Sequence, residues 1–561
     1  MGNRFQNTNS EQISWPQSKN ISLAQSEQAP RRFAIIIGNN KYENKKLENC
    51  VNDATELAAS LESVNYKVTL QTNVTCDEMH QCIRDFTDSI QANDFIIFFF
   101  AGHGVQWGNQ NYLLPCGCKK LDSRDDMERY AFNAQTILDT MVEKEPKCIV
   151  FLLDCCREYW LPKHKRGDAV DQGLTPMKLS TETLIAFACA AGETANDSSY
   201  GSKNGTFTKH LLENIKIPGL DVMKLMQRVT RGVKKETRNA QQPYLVSSIT
   251  EDIYIVPAET IQATKSTPTI RKPLSANTHN QLTREKQSYE SAADDSATSQ
   301  LVPSKGSDEM AHSTSNASVK YKLATAAAFR RKRALVIGIN EYARHRLRYC
   351  INDAKDLGEA LQRIGFHVSS AYDCDRNDFN RSIASFAEGT SSDDLTLFYF
   401  CGTGFQYNDD LFLMPSNYDD PYNGPDPVYL KHNAISAQLI VEQITDRSCR
   451  VLILIYDSCR CYAQTKIRTR GVAETSKLTS MRSPTETIEL FSCKPGMNAS
   501  DTSVNGRNGI FMGTLLKYID TPHLDIEEIF QMVTASVRTQ TRGCQIPERR
   551  SDLTKAVYLA N

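Results

Sequence analysis

Short apolar runs alternate with stretches of helical character through most of the chain, and this alternation predicts an α/β fold. In the first half, the apolar runs predict strands at 33–37, 66–71, 94–101, 148–153, 184–190 and 252–256. The stretches between them predict helices at 53–64, 76–91, 134–143, 206–215 and 220–236. Because the strands are apolar on both faces, we expect a mostly parallel sheet with helices on both sides.

The same order of predicted elements occurs twice. "DFIIFFFAGHG" in the first half matches "DLTLFYFCGTG" in the second, and "CIVFLLDCCRE" matches "VLILIYDSCRC". Ordered matches of this kind indicate an internal duplication. The intervening segment is rich in Ser, Thr, Ala and Asn and has no periodicity, which is typical of a flexible linker. The predicted organisation is a disordered tail, a first domain, a linker and a second domain at 1–29, 30–256, 257–328 and 329–561.

Composition excludes several classes of function. Lys and Arg number 65 against 66 Asp and Glu, and the basic residues are scattered, so we expect no nucleic-acid partner. The strongest apolar run, residues 95–102, is far shorter than the ~20 residues of a membrane helix, so we expect no membrane. The 17 cysteines are an odd number and no signal peptide opens the chain, which favours a reducing, cytoplasmic location. No motif indicates a cofactor or a metal site.

Reactive side chains lie at the ends of two predicted strands of the first domain. His103 ends one strand, and Cys155 and Cys156 end another. Parallel sheets bind ligands beyond the carboxyl ends of their strands, so these side chains are expected to meet. An imidazole can remove the proton of a thiol and so create a strong nucleophile. Either residue alone would more often be a loop or packing residue. Gly104, next to His103, is a candidate backbone donor for an oxyanion hole.

These motifs resemble those of the caspase-like cysteine peptidases, the superfamily of caspases, metacaspases and paracaspases. The spacing of about 50 residues from histidine to cysteine is typical of caspases, and "LLDCCRE" comes nearest to the paracaspase pattern. The resemblance implies two tandem caspase-like domains, each a mostly parallel six-stranded sheet sandwiched by helices. It also implies that Cys156, which precedes Arg157, is the nucleophile and that His103 is the general base. The chain lacks the His-Ser-Gly that follows the cysteine in metacaspases, and a metacaspase-like or bacterial-type affiliation stays open.

The resemblance further implies a preference for basic residues. Asp53 and Asp154 match acidic residues that line the specificity pocket of metacaspases and paracaspases, and Glu193 lies near a third acidic position. Clustered carboxylates favour a guanidinium or ammonium group, so we expect cleavage of peptides and proteins after Arg or Lys. An alternative role for Asp53 is to cap a helix that begins at Ala54.

A basic loop follows the candidate nucleophile. Caspase-like domains divide into a large and a small part at this loop, and here it contains Arg166 followed by Gly167. Beside an Arg/Lys-directed site, Arg166 is a candidate point of self-processing. The plainer interpretation is a solvated loop without further function.

The second copy retains only part of this chemistry. It keeps Asp353, Asp457 and Cys459, but Thr403 replaces the histidine and Met497 aligns with Glu193. A threonine hydroxyl is no base near neutral pH. The remaining histidines of this copy are expected to lie away from the strand end: His345, His367, His432 and His523. We therefore interpret 329–561 as an inactive pseudo-peptidase domain.

Two functional hypotheses follow. The first is a cysteine endopeptidase with a regulatory second domain, and the second is a non-catalytic interaction scaffold in which His103 and Cys156 are relics. A gingipain-like or legumain-like peptidase fits the His-Gly strand end but not the "DCCR" context.

The duplication also suggests how the two domains are arranged. Caspases and paracaspases typically pair through the edge strand of the small part. A flexible linker of this length spans roughly 45–50 Å, enough to let one domain lie beside the other. We therefore predict an intramolecular pseudo-dimer, with a homodimer or two independent domains as alternatives.

Overall fold

The computed structural model of the chain describes two repeats, residues 30–258 and 329–560. Within them it leaves undescribed residues 44–45, 108–109, 118–120, 122–123, 157–176, 178–181, 190–202, 408–409, 420–424, 448, 464–484 and 504. The predicted tail and nearly all of the predicted linker therefore lie outside the described residues, as do Glu193 and Arg166.

The first repeat contains eight strands and six helices among its described residues. The strands are β1 (Arg32–Gly38), β2 (Lys67–Thr72), β3 (Phe95–Trp107), β4 (Gln110–Leu113), β5 (Phe132–Asn133), β6 (Cys148–Cys156), β7 (Thr183–Phe187) and β8 (Tyr244–Ser247). The helices are α1 (Cys50–Glu62), α2 (Cys76–Ser89), α3 (Arg124–Tyr130), α4 (Ala134–Val142), α5 (Thr206–Asn214) and α6 (Val222–Glu236).

The second repeat has the same order with small additions. Its strands are β9 (Arg331–Gly338), β10 (Phe366–Tyr372), β11 (Asp394–Gly402), β12 (Gly404–Tyr407), β13 (Asp410–Leu413), β14 (Ile435–Ser436), β15 (Val451–Ser458), β16 (Cys461–Tyr462), β17 (Glu486–Phe491) and β18 (Glu548–Ser551). Its helices are α7 (Cys350–Arg363), α8 (Arg376–Glu388), α9 (Pro427–Asn433), α10 (Ala437–Thr445), α11 (Ile510–Leu515) and α12 (Ile526–Gln540).

Each repeat contributes six strands to one continuous main sheet. The order is β2-β1-β3-β6-β7-β8 in the first repeat and β10-β9-β11-β15-β17-β18 in the second. Within each half the strands are parallel except the last, β8 or β18, which is antiparallel to its neighbour. The halves join because β8 pairs with β18 in antiparallel fashion. The predicted α/β class with a six-stranded, mostly parallel sheet in each repeat is confirmed.

The apolar strands are buried from both sides, which explains their lack of alternation. In β3, Ile97 and Phe99 pack with residues of α1, α5 and α6, whereas Phe98 and Phe100 pack with residues of α2 and α4. Since successive side chains of a strand point to opposite faces, one apolar run supplies both halves of the core. Among the described residues, no helix has the length and apolar character needed to cross a membrane.

The sixth strand lies elsewhere in the sequence than predicted. The apolar run 252–256 forms no strand; only Tyr254 makes an isolated bridge, to Asp221. Its Ile253, Ile255 and Val256 are buried against the core on the α6 side instead. The strand that pairs with β7 in its place is β8, which the sequence did not predict.

The ends of several elements also differ from the prediction. The strand predicted to end at residue 101 continues to Trp107, and the one predicted to end at residue 153 continues to Cys156. Helix α1 begins at Cys50, three residues earlier than predicted. The longer strands matter for function because they carry the candidate catalytic residues within the sheet.

Candidate active site

The pairing of β3 with β6 brings the two candidate catalytic residues together. The strands are parallel and in register over nine residue pairs, from Phe95 opposite Cys148 to His103 opposite Cys156. Neighbouring strands lie about 4.8 Å apart, so the backbones of His103 and Cys156 are adjacent. The sequence prediction that both residues lie at one edge of the sheet therefore agrees with the structure. The His103 side chain is buried, and the side chain of Cys156 lies outside the described part of the structure.

A tyrosine that the sequence analysis did not single out holds the backbone at His103. The Tyr42 hydroxyl accepts the His103 N–H at 3.0 Å and donates to the Leu114 carbonyl at 2.9 Å. Its ring centroid lies 4.4 Å from that of the imidazole. Burial raises the pKa of Tyr42 well above its ordinary value, so the phenol stays protonated and able to donate. A Cβ at Gly102 would come within 2.5 Å of this hydroxyl, which explains the glycine before the histidine.

Two of the three candidate specificity residues of the first repeat, Asp53 and Asp154, converge on one helix terminus. The Gly205 N–H, at the start of α5, donates to Asp53 at 3.0 Å, and the Thr208 hydroxyl donates to Asp154 at 2.7 Å. A Cβ at Gly205 would lie 3.1 Å from Asp53 Oδ2 and 3.6 Å from Asp154 Oδ2. Both carboxyl groups are buried. Two buried acids around one point create a strong preference for a cationic ligand.

The capping alternative for Asp53 is wrong. Helix α1 begins at Cys50, its N-cap position is Asn49, and Asp53 lies inside the first turn. The carboxylate of Asp53 instead accepts the hydrogen bond from Gly205, the N-cap residue of another helix. Gly104 lies in β3, in register with Leu113 of β4, and its role as an oxyanion donor stays a prediction.

The second repeat places a histidine against Thr403, the residue at the position equivalent to His103. His345 Nε2 lies 2.9 Å from the Thr403 hydroxyl, and the His345 ring stacks on Tyr342 with centroids 4.6 Å apart. The Tyr342 hydroxyl accepts the Thr403 N–H at 2.7 Å, as Tyr42 does for His103. The expectation that His345 lies away from the strand end is therefore wrong. It failed because His345 belongs to the loop after β9, which folds back over the end of β11.

The retained cysteine of the second repeat is poorly suited to act as a nucleophile. Cys459 donates its thiol proton to the Ala499 carbonyl across 3.6 Å. A hydrogen bond with Cys461, together with burial, raises the pKa of Cys459 well above its ordinary value. A thiol that holds its proton at neutral pH is a weak nucleophile.

The acidic pair of the second repeat holds protons near neutral pH. Burial, and then the nearby charge of Asp457, raise the pKa of Asp353 to about 8. Burial raises the pKa of Asp457 to about 7, and the charge of Asp501 adds to this shift. Asp501 is a third acid that the sequence analysis missed. The signal was present, because "NDSS" in the first copy aligns with "SDTS" in the second and places Asp197 at the equivalent position.

The same cluster is the one group among the described residues with the spacing of a metal site. Ligand atoms of Asp353, Cys401 and Asp457 lie within 4.8 Å of one another. Protonated carboxyl groups account for this proximity without an ion, and Cys401 donates to Asp353 Oδ2 across 3.9 Å. The first repeat has Ala101 in place of Cys401, so the three ligands are not a shared feature of the two copies.

The raised pKa of Asp353 predicts a dependence of stability on pH. An acid whose pKa rises on folding contributes a stability that is lost as pH increases from about 4, the unfolded value, towards about 8. Asp353→Asn keeps an acceptor for the Gly509 N–H but removes the charge. We expect its gain in unfolding free energy over wild type to be larger at pH 8 than at pH 5 by about 2–4 kcal/mol.

Calorimetry of the full chain at the two pH values measures this difference. Asp356→Asn, on the same helix, is the matched control, because its partner Arg507 lowers the pKa of Asp356. Its effect should be the same at pH 5 and pH 8. If the stability effects of both variants changed equally between pH 5 and pH 8, the raised pKa of Asp353 would be contradicted.

Comparison with known proteins gives two kinds of match. A family profile described as "Caspase domain", of a peptidase family, matches residues 31–254 and again residues 331–558. The chain is 28% identical over 191 residues to "Mucosa-associated lymphoid tissue lymphoma translocation protein 1" of Homo sapiens, a region that is 33% of this chain and 22% of that protein. The Mus musculus homolog matches with the same identity and coverage. The chain thus matches about a fifth of the length of these curated relatives. The double profile match confirms the predicted duplication.

Proposed function

Because this chain belongs to the caspase-domain peptidase family, we propose that its first repeat is a cysteine endopeptidase that cleaves after Arg or Lys. The observation that carries the proposal is the register of β3 and β6, which places His103 opposite Cys156 beside the buried pair Asp53 and Asp154. A nucleophile, a base and an acidic pocket then share one edge of the sheet.

The reaction follows from the chemistry of these groups. His103 accepts the thiol proton of Cys156, and the thiolate attacks the carbonyl carbon of the scissile bond. The resulting oxyanion is stabilised by backbone N–H groups, of which Gly104 is the nearest candidate in sequence. Protonated His103 then gives its proton to the leaving amine. A water molecule, activated by the same imidazole, hydrolyses the thioester and restores Cys156.

The pocket acids set the substrate preference. A guanidinium or ammonium group of the substrate binds between Asp53 and Asp154, where Gly205 and Thr208 already fix the two carboxylates. Since charged hydrogen bonds in a buried site are strong, this contact favours basic side chains over neutral and acidic ones.

The second repeat acts as a regulatory domain without peptidase activity. Its histidine position is Thr403, and its Cys459 keeps its proton because of burial and Cys461. It pairs with the first repeat within one chain, and the junction of β8 and β18 supports this arrangement. The cysteines whose side chains the structure describes are free thiols. A reducing, cytoplasmic location is part of this proposal, on the sequence grounds given above.

The peptidase and scaffold hypotheses differ in the expected effect of replacing Cys156. Cys156→Ala should abolish hydrolysis of a fluorogenic peptide that ends in Arg, because it removes the nucleophile. Cys459→Ala, the matched change in the second repeat, should leave the rate within about twofold of wild type. A wild-type chain without activity would favour the non-catalytic scaffold, whereas equal losses in the two variants would contradict the assignment of the reaction to Cys156.

The acidic pocket predicts a change in specificity. Asp154→Asn keeps an acceptor for the Thr208 hydroxyl but loses the charge, so kcat/KM for Arg peptides should fall about 10- to 100-fold. Hydrolysis of peptides with a neutral residue at this position should change much less. Asp457→Asn, the equivalent change in the second repeat, is the control. The same assay on Glu193→Ala decides whether Glu193 belongs to the pocket, since an undiminished Arg preference would exclude it.

Self-processing is expected in the loop after Cys156. Wild-type protein should yield two fragments that meet between Arg166 and Gly167, because the arginine lies beside an Arg-directed site. Electrophoresis and mass spectrometry identify the fragments. Cys156→Ala and Arg166→Ala chains should both stay whole. An intact wild-type chain with full activity would refute processing at Arg166 without affecting the peptidase proposal.

A further inference from the structure

The two repeats meet through equivalent elements, so their junction has an approximate two-fold axis. Strand β8 pairs with β18 such that Val246 lies opposite Arg550, with Leu245 opposite Ser551 and Ser247 opposite Arg549 on either side. Val246 and Arg550 occupy equivalent positions of the duplicated sequence. The axis therefore passes between them. We call the facing surfaces of β8 with α6 and of β18 with α12 the pairing faces.

A second pair of equivalent residues meets near this axis with opposite charges. Helix α6 is capped by Asp221 and α12 by Asp525, and Lys224 and Glu528 lie three residues after these caps. Lys224 Nζ lies 2.9 Å from Glu528 Oε1. Because the positions are equivalent, two first repeats would bring Lys224 against Lys224, and two second repeats Glu528 against Glu528.

The surroundings of Glu528 make a pair of second repeats especially unfavourable. Burial and the charge of Glu528 raise the pKa of Asp525 to about 7, and Lys224 opposes this shift. Without Lys224, two copies of each acid would gather at one partly buried axis. Carboxylates at such short range repel strongly when desolvated.

Strand β18, which lies at the axis, also disfavours a pair of second repeats. Arg550 lies opposite Val246, and its guanidinium turns to Glu548 of its own strand at 3.1 Å. Glu548 also accepts from the buried Arg460 at 3.1 Å. Two second repeats would instead place Arg550 directly opposite Arg550, and like charges opposite each other destabilise a strand pair.

Further ion pairs cross the junction on either side of the axis. Lys234 on α6 pairs with Asp552 at 2.7 Å, and Arg538 on α12 pairs with Glu182 at 2.9 Å. In the first repeat Ser248 takes the position of Asp552. A pair of first repeats would therefore lose Asp552 as a partner of Lys234 but would keep Glu182, which Arg538 contacts here from the position equivalent to Lys234.

We infer that the pairing face of the second repeat selects the first repeat as its partner and rejects a second copy of itself, through the Lys224–Glu528 pair and Arg550. The inference rests on the pairing of the repeats within the proposed function and not on peptidase activity. It gives the non-catalytic copy a specific role, which is to occupy the pairing face of the catalytic copy within one chain.

The experiment uses the full chain with Cys156→Ala and a cleavage site for an unrelated protease placed in residues 259–328. After cleavage, analytical ultracentrifugation over a dilution series gives the dissociation constant of the two halves and the composition of every complex. Wild type should form a one-to-one complex of unlike halves. Lys224→Glu and Glu528→Lys should each raise the dissociation constant about tenfold or more, because each places like charges together.

The double reversal Lys224→Glu with Glu528→Lys should return the constant to within about threefold of wild type, which also shows that the single variants are folded. Lys235→Glu, on the exposed side of α6, is the matched control and should match wild type. Single reversals that behave like this control would overturn the inference. So would a double variant that stays weak, or second halves that self-associate as tightly as the unlike pair.

Discussion

The parallel pairing of β3 with β6 is the constraint on which the site depends. Backbone hydrogen bonds fix the register from Phe95 to His103, and a slip by one residue would turn every side chain of a strand to the opposite face. Burial of β3 against helices on both sides makes such a slip costly, since aromatic and aliphatic side chains fill both layers. The core thus determines that His103 and Cys156 stay neighbours, and Tyr42 then fixes the backbone at the histidine.

The second repeat shows that this framework persists when the residue at the position of His103 is a threonine. Its β11 and β15 keep the same parallel register, and Tyr342 still accepts the backbone N–H of residue 403. The framework is therefore maintained by packing and backbone hydrogen bonds and does not require the histidine. The buried acids Asp353 and Asp457 remain as well, and since burial raises the pKa values of both, keeping them ionised carries a cost in stability.

The junction of the repeats covers an edge strand that each repeat would expose if it were alone. Strands β8 and β18 end their halves of the sheet, and an unpaired edge strand is open to association with other chains. Pairing within one chain covers both edges. The opposite charges of Lys224 and Glu528 also favour the pairing of unlike repeats over the pairing of like ones. This preference for unlike repeats depends on the two copies having different residues at equivalent positions, Lys224 and Glu528.

The sequence by itself determined the α/β class, the duplication and the meeting of His103 with Cys156, because periodicity and strand ends are local signals. Tertiary structure decided what depends on distant contacts. The run 252–256 is as apolar as a strand, yet the free edge of β7 pairs with β8. Loop residues such as Tyr42 and His345 contact the strand ends because their loops fold back over the sheet, and hydrophobic periodicity does not predict the path of a loop. The Lys224–Glu528 pair exists only because two helices far apart in sequence meet at one axis.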